Sequence, residues 1–150
     1  MITYSCLSFS ELSLQQLYAL MALRQQVFVV EQDCPYLDAD GKDQLSHHLL
    51  GYDEDGDLVA YTRMVPPGIS YEKYASIGRV VNAEKIRGKG VGKLLMQTTI
   101  HCVRRLYPNA PIKISAQSYL LKFYTELGFD AVGEEYLEDN IPHTAMILEQ

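Results

Sequence analysis

A chain of 150 residues with 47% hydrophobic and 21% charged residues is typical of one globular domain, neither disordered nor fibrous. Its formal charge of −6 argues against nucleic acid as a partner, because phosphate binding requires a basic face. No apolar run approaches the ~20 residues of a membrane helix, and the N-terminus lacks a signal-peptide pattern. We therefore expect a cytoplasmic protein with no membrane partner, organised as a single domain over residues 1–150.

Hydrophobic periodicity divides the chain into alternating strands and helices. From Leu14 to about Val30, apolar residues recur at three- and four-residue steps, which predicts one amphipathic helix or two short ones end to end. Two short apolar runs around an Asp-Gly turn predict a β-hairpin. The predicted order is strand, helix, hairpin, strand, helix, strand, helix, strand, strand, at residues 2–9, 14–30, 48–52 with 58–65, 74–82, 91–106, 112–116, 120–127, 129–137 and 144–148.

This order predicts a mixed α/β domain. The strand–helix–strand unit from Tyr74 to Ala116 is expected to be a right-handed parallel crossover, and the two C-terminal strands are expected to be antiparallel. The C-terminal strands could also supply an edge for pairing, which predicts a homodimer.

Metal-binding patterns are weak in this sequence. Cys6, Cys34 and Cys102 form neither a CxxC pair nor a zinc-ligand spacing. The run that starts at Asp38 imitates part of a calcium loop, but Asp43 and Leu49 stand where an EF-hand requires glycine and glutamate. No metal is therefore expected.

The sharpest motif is Arg87-Gly88-Lys89-Gly90-Val91-Gly92, which lies between a predicted strand and a predicted helix. Alternate glycines remove Cβ atoms where a main chain must approach a ligand closely. The first turn of the helix adds unpaired N–H groups, and Arg87 and Lys89 add charge, so the motif predicts a pyrophosphate site. It is not a P-loop, because Gly92-Lys93-Leu94 lacks the hydroxyl for magnesium, and it is one residue short of a Rossmann fingerprint.

In this setting the motif resembles the R/Q-x-x-G-x-G/A signature of the GNAT superfamily of N-acetyltransferases, and the resemblance covers nearly the whole chain. The strand from Ile77 to Val81 resembles the family's bulged central strand, and Phe123 to Phe129 resembles its FYxxxGF segment. Leu23 to Tyr36 and Ile141 to His143 are similar to the ElaA-type branch. The resemblance implies a GNAT-like fold, with a central mixed β-sheet flanked by helices and a parallel strand–helix–strand cofactor unit.

The resemblance also implies that acetyl-CoA and a primary amine bind together and that the amine attacks the thioester directly. A main-chain N–H of the bulged strand would donate to the thioester oxygen, and Tyr124, at the family's general-acid position, would serve the leaving thiolate. The cofactor-binding residues so implied are Val80, Val81, Arg87, Gly88, Lys89, Gly90, Val91, Gly92, Lys93 and Tyr124.

The attacking amine must lose a proton, because an alkyl ammonium titrates near pH ~10.4. A base or a water chain must accept that proton, and Glu31, His48 and His143 are the candidates for the base. Glu31 ends the first helical region, His48 opens a strand near the expected cleft, and His143 lies in the ElaA-like match. Arg79, next to the cofactor strand, is predicted to pair with a carboxylate or to contact the substrate.

Two other functions remain open at this point. One is a noncatalytic module that binds acetyl-CoA and regulates a partner, and the other is an acyltransferase similar to acyl-homoserine-lactone synthases. The intact Tyr124 favours an enzyme, and the clear glycine-rich motif together with the short chain favours an N-acetyltransferase. The acceptor amine, either a small molecule or a peptide, is not encoded in a readable pattern.

Overall fold

The structure is a computed structural model that describes residues 1–149, which form strands and helices in the predicted order. The strands are β1 Thr3–Ser8, β2 His47–Tyr52, β3 Leu58–Val65, β4 Ser76–Asn82, β5 Ile112–Gln117, β6 Asp130–Glu138 and β7 Ile141–Leu148. The α-helices are α1 Leu14–Gln25, α2 Val91–Leu106 and α3 Leu121–Glu126. Within residues 1–149, no helix combines the length and the apolar character needed to cross a bilayer.

The first helical region consists of two joined helices, as the periodicity allowed. Helix α1 begins with a capping box, in which the Ser13 side chain accepts a hydrogen bond from the Gln16 N–H and the Gln16 side chain accepts one from Ser13. A π-helix, Gln26–Glu31, continues from α1. π-Helices are rare in proteins, and those that occur often lie at functional sites. This one carries Glu31 to the wall of the cleft described below.

The strands form two antiparallel sheets, one in the order β1-β2-β3-β4 and the other in the order β5-β7-β6. In the part of the chain that the structure describes, one parallel bridge, between Ala75 and Ile112, joins them. At this bridge the Ala75 N–H donates to the Pro111 carbonyl over 3.0 Å, and the Lys113 N–H donates to the Ala75 carbonyl over 2.9 Å. Beyond it β4 and β5 diverge. The predicted mixed α/β fold is confirmed, and its parallel unit is reduced to this bridge.

Strand β3 lies between two helices, because α1 and α2 both contact it. Seven consecutive residues of β3 are therefore buried, and the strand shows no alternation of inward and outward side chains. The main core includes Leu95 and Met96 of α2, which are completely buried against both sheets. A smaller core of Leu20, Val27, Tyr61 and Val81 fixes the first helical region to β3 and β4.

Candidate active site

A cleft of about 920 Å³ lies where β4 and β5 diverge, and its volume is within the range of small-molecule sites. Residues 78–82 of β4 form one wall, and residues 114–117 of β5 form the opposite wall. The π-helix contributes Glu31, and α3 contributes Tyr124. The two sheets share one bridge within residues 1–149, and their divergence beyond it creates this space.

Strand β4 contains a bulge on the cleft. Gly78 pairs with Arg63 and Val81 pairs with Tyr61, so that Arg79 and Val80 both stand opposite Thr62. Arg79 has φ of 51°, in the left-handed region. A bulge of this kind disrupts the ladder locally and changes the direction in which main-chain groups point. Val80 and Val81, the predicted donors to the thioester oxygen, both line the cleft.

The glycine-rich turn is exposed and leaves room for a ligand. Gly88 and Gly90 have φ of 78° and 73°, and a Cβ built on either would have no atom within 4 Å. Gly90 is the N-cap of α2, and no side chain among the described residues caps this helix end, so the first-turn N–H groups can bind an anion. Gly92 has an ordinary φ, and its added Cβ would lie 3.6 Å from Asn82 Nδ2 and 3.9 Å from Phe123.

The structure brings together two residues that the sequence placed in separate roles. Arg87 donates from Nη2 to Glu31 Oε1 over 2.8 Å, and from Nε to the Asn82 carbonyl over 2.9 Å. Both Arg87 and Glu31 line the cleft. The Glu31 carboxylate therefore forms an ion pair with Arg87, the residue that is predicted to bind the pyrophosphate.

Tyr124 belongs both to the main core and to the cleft wall. Its ring makes edge contacts with Phe123 and Phe129, at centroid distances of 5.1 and 5.9 Å. Burial raises the pKa of Tyr124 to about 12. Its hydroxyl consequently stays protonated at neutral pH and can act as a hydrogen-bond donor.

His143 lies on the other side of the cleft, on β7. Its Nδ1 is 2.7 Å from the Ile141 carbonyl, which can only accept, so Nδ1 carries a proton. Its Nε2 is 3.5 Å from Glu138 Oε2, and its ring stacks on Tyr136 at 6.2 Å. The neutral ring therefore has its free lone pair at Nε2, beside a carboxylate.

His48 does not line the cleft, so this part of the site prediction is wrong. Its side chain is completely buried, and its ring nitrogens lie 2.6 Å from the Tyr61 hydroxyl and 2.9 Å from the Asp43 carbonyl. Because the carbonyl accepts from Nε2, the Tyr61 hydroxyl donates to Nδ1. Burial lowers the pKa of His48. Both nitrogens are occupied, and His48 is a structural residue.

A partly buried ion-pair network next to the cleft was not predicted. It consists of three arginines and three aspartates, namely Arg24, Arg63, Arg79, Asp38, Asp40 and Asp43. Arg24 is completely buried and lies 2.7 Å from both Asp38 Oδ2 and Asp43 Oδ1. The available signal was its place on the apolar stripe of α1, since a buried arginine requires partners.

The rest of this network fixes the loop between the π-helix and β2 against the sheet. Arg63 donates to Asp40 over 2.8 Å and to Asp43 over 3.0 Å. Burial alone would raise the pKa of Asp43, but the hydrogen bonds and charges of Arg24 and Arg63 lower it. Arg79 pairs with Asp38, which is one of the two roles that the sequence suggested for it.

The chain is similar to known proteins over nearly its whole length. The model of the acetyltransferase (GNAT) domain matches residues 15–150. The protein ElaA of Escherichia coli is 45% identical over 151 residues, which cover 99% of this chain and 97% of ElaA. A protein of the UPF0039 group from Synechocystis is 44% identical over 146 residues, which cover 97% of this chain and 94% of the relative.

Two crystal structures extend the similarity to the fold. An acyl-CoA N-acyltransferase from Pseudomonas aeruginosa superposes with a TM-score of 0.93 at 42% identity, covering 99% of each chain. Escherichia coli ElaA superposes with a TM-score of 0.92 at 44% identity, covering 99% of this chain and 100% of the other.

Proposed function

The chain belongs to the acetyltransferase (GNAT) family, and on that premise we propose that it transfers an acetyl group from acetyl-CoA directly to a primary amine. The observation that carries this proposal is the cleft between β4 and β5, with Arg87 and Tyr124 both on its walls. The acceptor is a small molecule or a peptide. A cytoplasmic location and a homodimer stay predictions.

The chain's residues fit a nucleotide-linked thioester. Gly88 and Gly90 leave open space at the start of α2, where free N–H groups can hold a pyrophosphate. In this proposal Arg87 and Lys89 add charge, and residues 91–93 supply the first-turn amides. Asn82 Oδ1 is buried without a hydrogen-bond partner among the described residues, so it is available to an N–H of the bound ligand.

The reaction requires a base for the amine, a hydrogen-bond donor to the thioester carbonyl oxygen and a proton donor to the leaving sulfur. Acetyl-CoA, when bound, supplies the activated acyl group. His143 accepts the amine proton at Nε2, directly or through water, while Glu138 stabilises the protonated ring. The N–H of Val80 or Val81 donates to the carbonyl oxygen as the carbon–nitrogen bond forms. Tyr124 donates to the sulfur as the carbon–sulfur bond breaks.

Thiol release from acetyl-CoA, measured across a panel of amines, tests this function. We expect turnover with at least one amine, and a loss of turnover in Tyr124→Phe on the order of 10²–10⁴-fold with an unchanged cofactor Kd. His48→Gln, which alters a histidine outside the cleft, is the matched control and should retain turnover. Binding of acetyl-CoA without turnover of any amine would favour the regulatory module instead.

A further inference from the structure

Arg79 adopts a main-chain conformation that its residue type disfavours. Its φ of 51° lies in the left-handed region, and it is the first of the two bulged residues opposite Thr62. Glycine takes this conformation readily, whereas a residue with a Cβ is strained by about 1 kcal/mol or more. Such a conformation persists only where the surroundings over-determine it.

The Arg79 side chain provides that over-determination. Its Nε donates to Asp38 Oδ1 over 2.7 Å, and its Nη2 donates to the Asp38 carbonyl over 3.0 Å. Asp38 is itself fixed from behind, because the completely buried Arg24 donates to its other carboxylate oxygen over 2.7 Å. The Tyr36 ring lies against the guanidinium, with 5.9 Å from its centroid to Arg79 Cζ.

The strand on the other side of the bulge is also held in place. The Thr62 hydroxyl lies 2.8 Å from the Thr99 hydroxyl of α2, and both side chains are completely buried. Because Thr99 donates to the Leu95 carbonyl, Thr62 is the donor to Thr99. The bulge is therefore held on two sides. The Arg79 side chain binds Asp38, and Thr62 on the facing strand β3 binds Thr99 of α2.

We propose that Arg79 is a positioning residue, whose guanidinium, held by Asp38, keeps the bulge in the geometry that aims a main-chain N–H of Val80 or Val81 at the thioester carbonyl. This inference rests on the proposed function, because it needs a thioester in the cleft. It replaces a substrate contact as the main role of Arg79, because Nε and Nη2 of its guanidinium are bonded to Asp38 and Nη2 also lies 3.4 Å from Asp40 Oδ2. In this role Arg79 reaches the reaction through the main chain.

The test compares Arg79→Ala with Arg79→Gly. Both variants lose the contacts with Asp38, but only alanine leaves a strained residue in the bulge, since glycine accepts a positive φ without a penalty. The readout is the ratio of the Kd of CoA to the Kd of acetyl-CoA, measured by calorimetry. The thioester carbonyl is present in acetyl-CoA and absent from CoA, so this ratio needs no acceptor amine and cancels the contribution of the pyrophosphate.

In Arg79→Ala we expect the ratio of the Kd of CoA to the Kd of acetyl-CoA to fall by about two- to tenfold, which is the contribution of one hydrogen bond. Arg79→Gly should retain most of the original ratio. The infrared stretch of the bound thioester carbonyl should move toward its free frequency in Arg79→Ala alone. This second readout separates the hydrogen bond from burial of the methyl group.

The turn between β6 and β7 supplies the control. Asn140 also has a positive φ, 63°, and it is exposed and outside the cleft lining. Asn140→Ala and Asn140→Gly should differ in melting temperature but not in the Kd ratio or the carbonyl stretch. Equal ratios in the two Arg79 variants would overturn the positioning role. Absence of CoA binding by the unmutated protein would instead overturn the proposed function.

Discussion

Glu31→Gln is expected to tighten the binding of CoA. Arg87 Nη2 lies 2.8 Å from Glu31 Oε1, so a pyrophosphate that binds Arg87 must compete with this carboxylate for the guanidinium. The two side chains are 41% and 26% exposed, and ion pairs with such access to water contribute about 0.2–1 kcal/mol. Removing the charge of Glu31 should therefore lower the Kd of CoA by about 1.4- to fivefold.

Calorimetric titration with CoA at low ionic strength measures this effect. The gain should shrink as salt is added, because a Debye length of ~10 Å at 0.1 M screens partly exposed charges. Glu134→Gln is the matched control, since Glu134 is exposed on β6 and has no ion pair among residues 1–149.

A double-mutant cycle identifies the cause. In an Arg87→Gln background, Glu31→Gln should change the Kd much less, because the competing pair no longer exists. If Glu31→Gln leaves the affinity unchanged or weakens it, competition at Arg87 is refuted. An equal gain in both backgrounds would mean that Glu31 acts only through its general repulsion of phosphate.

Three other predictions use different parts of the structure. Gly92→Ala adds a Cβ that makes only ordinary contacts, at 3.6 and 3.9 Å, so the variant should fold normally. In a calorimetric titration it should bind CoA about tenfold or more weakly. Unchanged affinity would contradict a pyrophosphate site at the start of α2. Because the pKa of Tyr124 is about 12, its hydroxyl stays protonated to about pH 10, and Tyr124→Phe should lower kcat without moving the alkaline limb of the pH–rate profile. His48 has a lowered pKa, so only the unfolded chain takes up its proton below about pH 6.5, and stability falls as the pH drops. In thermal melts of His48→Gln, the melting temperature should fall less steeply between about pH 7 and pH 5 than in the unmutated protein. An unchanged pH dependence would contradict the assignment of His48 as a buried, neutral histidine.

Local signals predicted much of this fold from the sequence. The periodicity from Val91 to Leu106 gave the bounds of α2, because an amphipathic helix between a glycine turn and a proline-rich break has clear ends. The glycine-rich turn before α2 follows from the same local pattern. Such features depend on residues that are close together in sequence.

The errors at the site have a long-range cause. His48 looked like a cleft residue because it opens a strand, but β2 is buried on both faces, so no alternation tells which side a residue faces. The partners of Arg24 lie 14 and 19 residues away in an irregular loop, where no periodicity applies. The pairing of Arg87 with Glu31 spans 56 residues and was equally inaccessible.

Each sheet comes from one continuous stretch of chain, β1–β4 from residues 3–82 and β5–β7 from residues 112–148. A cut at the exposed turn formed by Pro108 and Asn109 would therefore leave every strand pairing within a sheet inside a single fragment. The two fragments would meet along the core around α2 and along the cleft. Because a ligand in the cleft touches both sheets, it would favour reassembly by mass action. The architecture is thus a natural template for a split reporter whose signal depends on cleft occupancy.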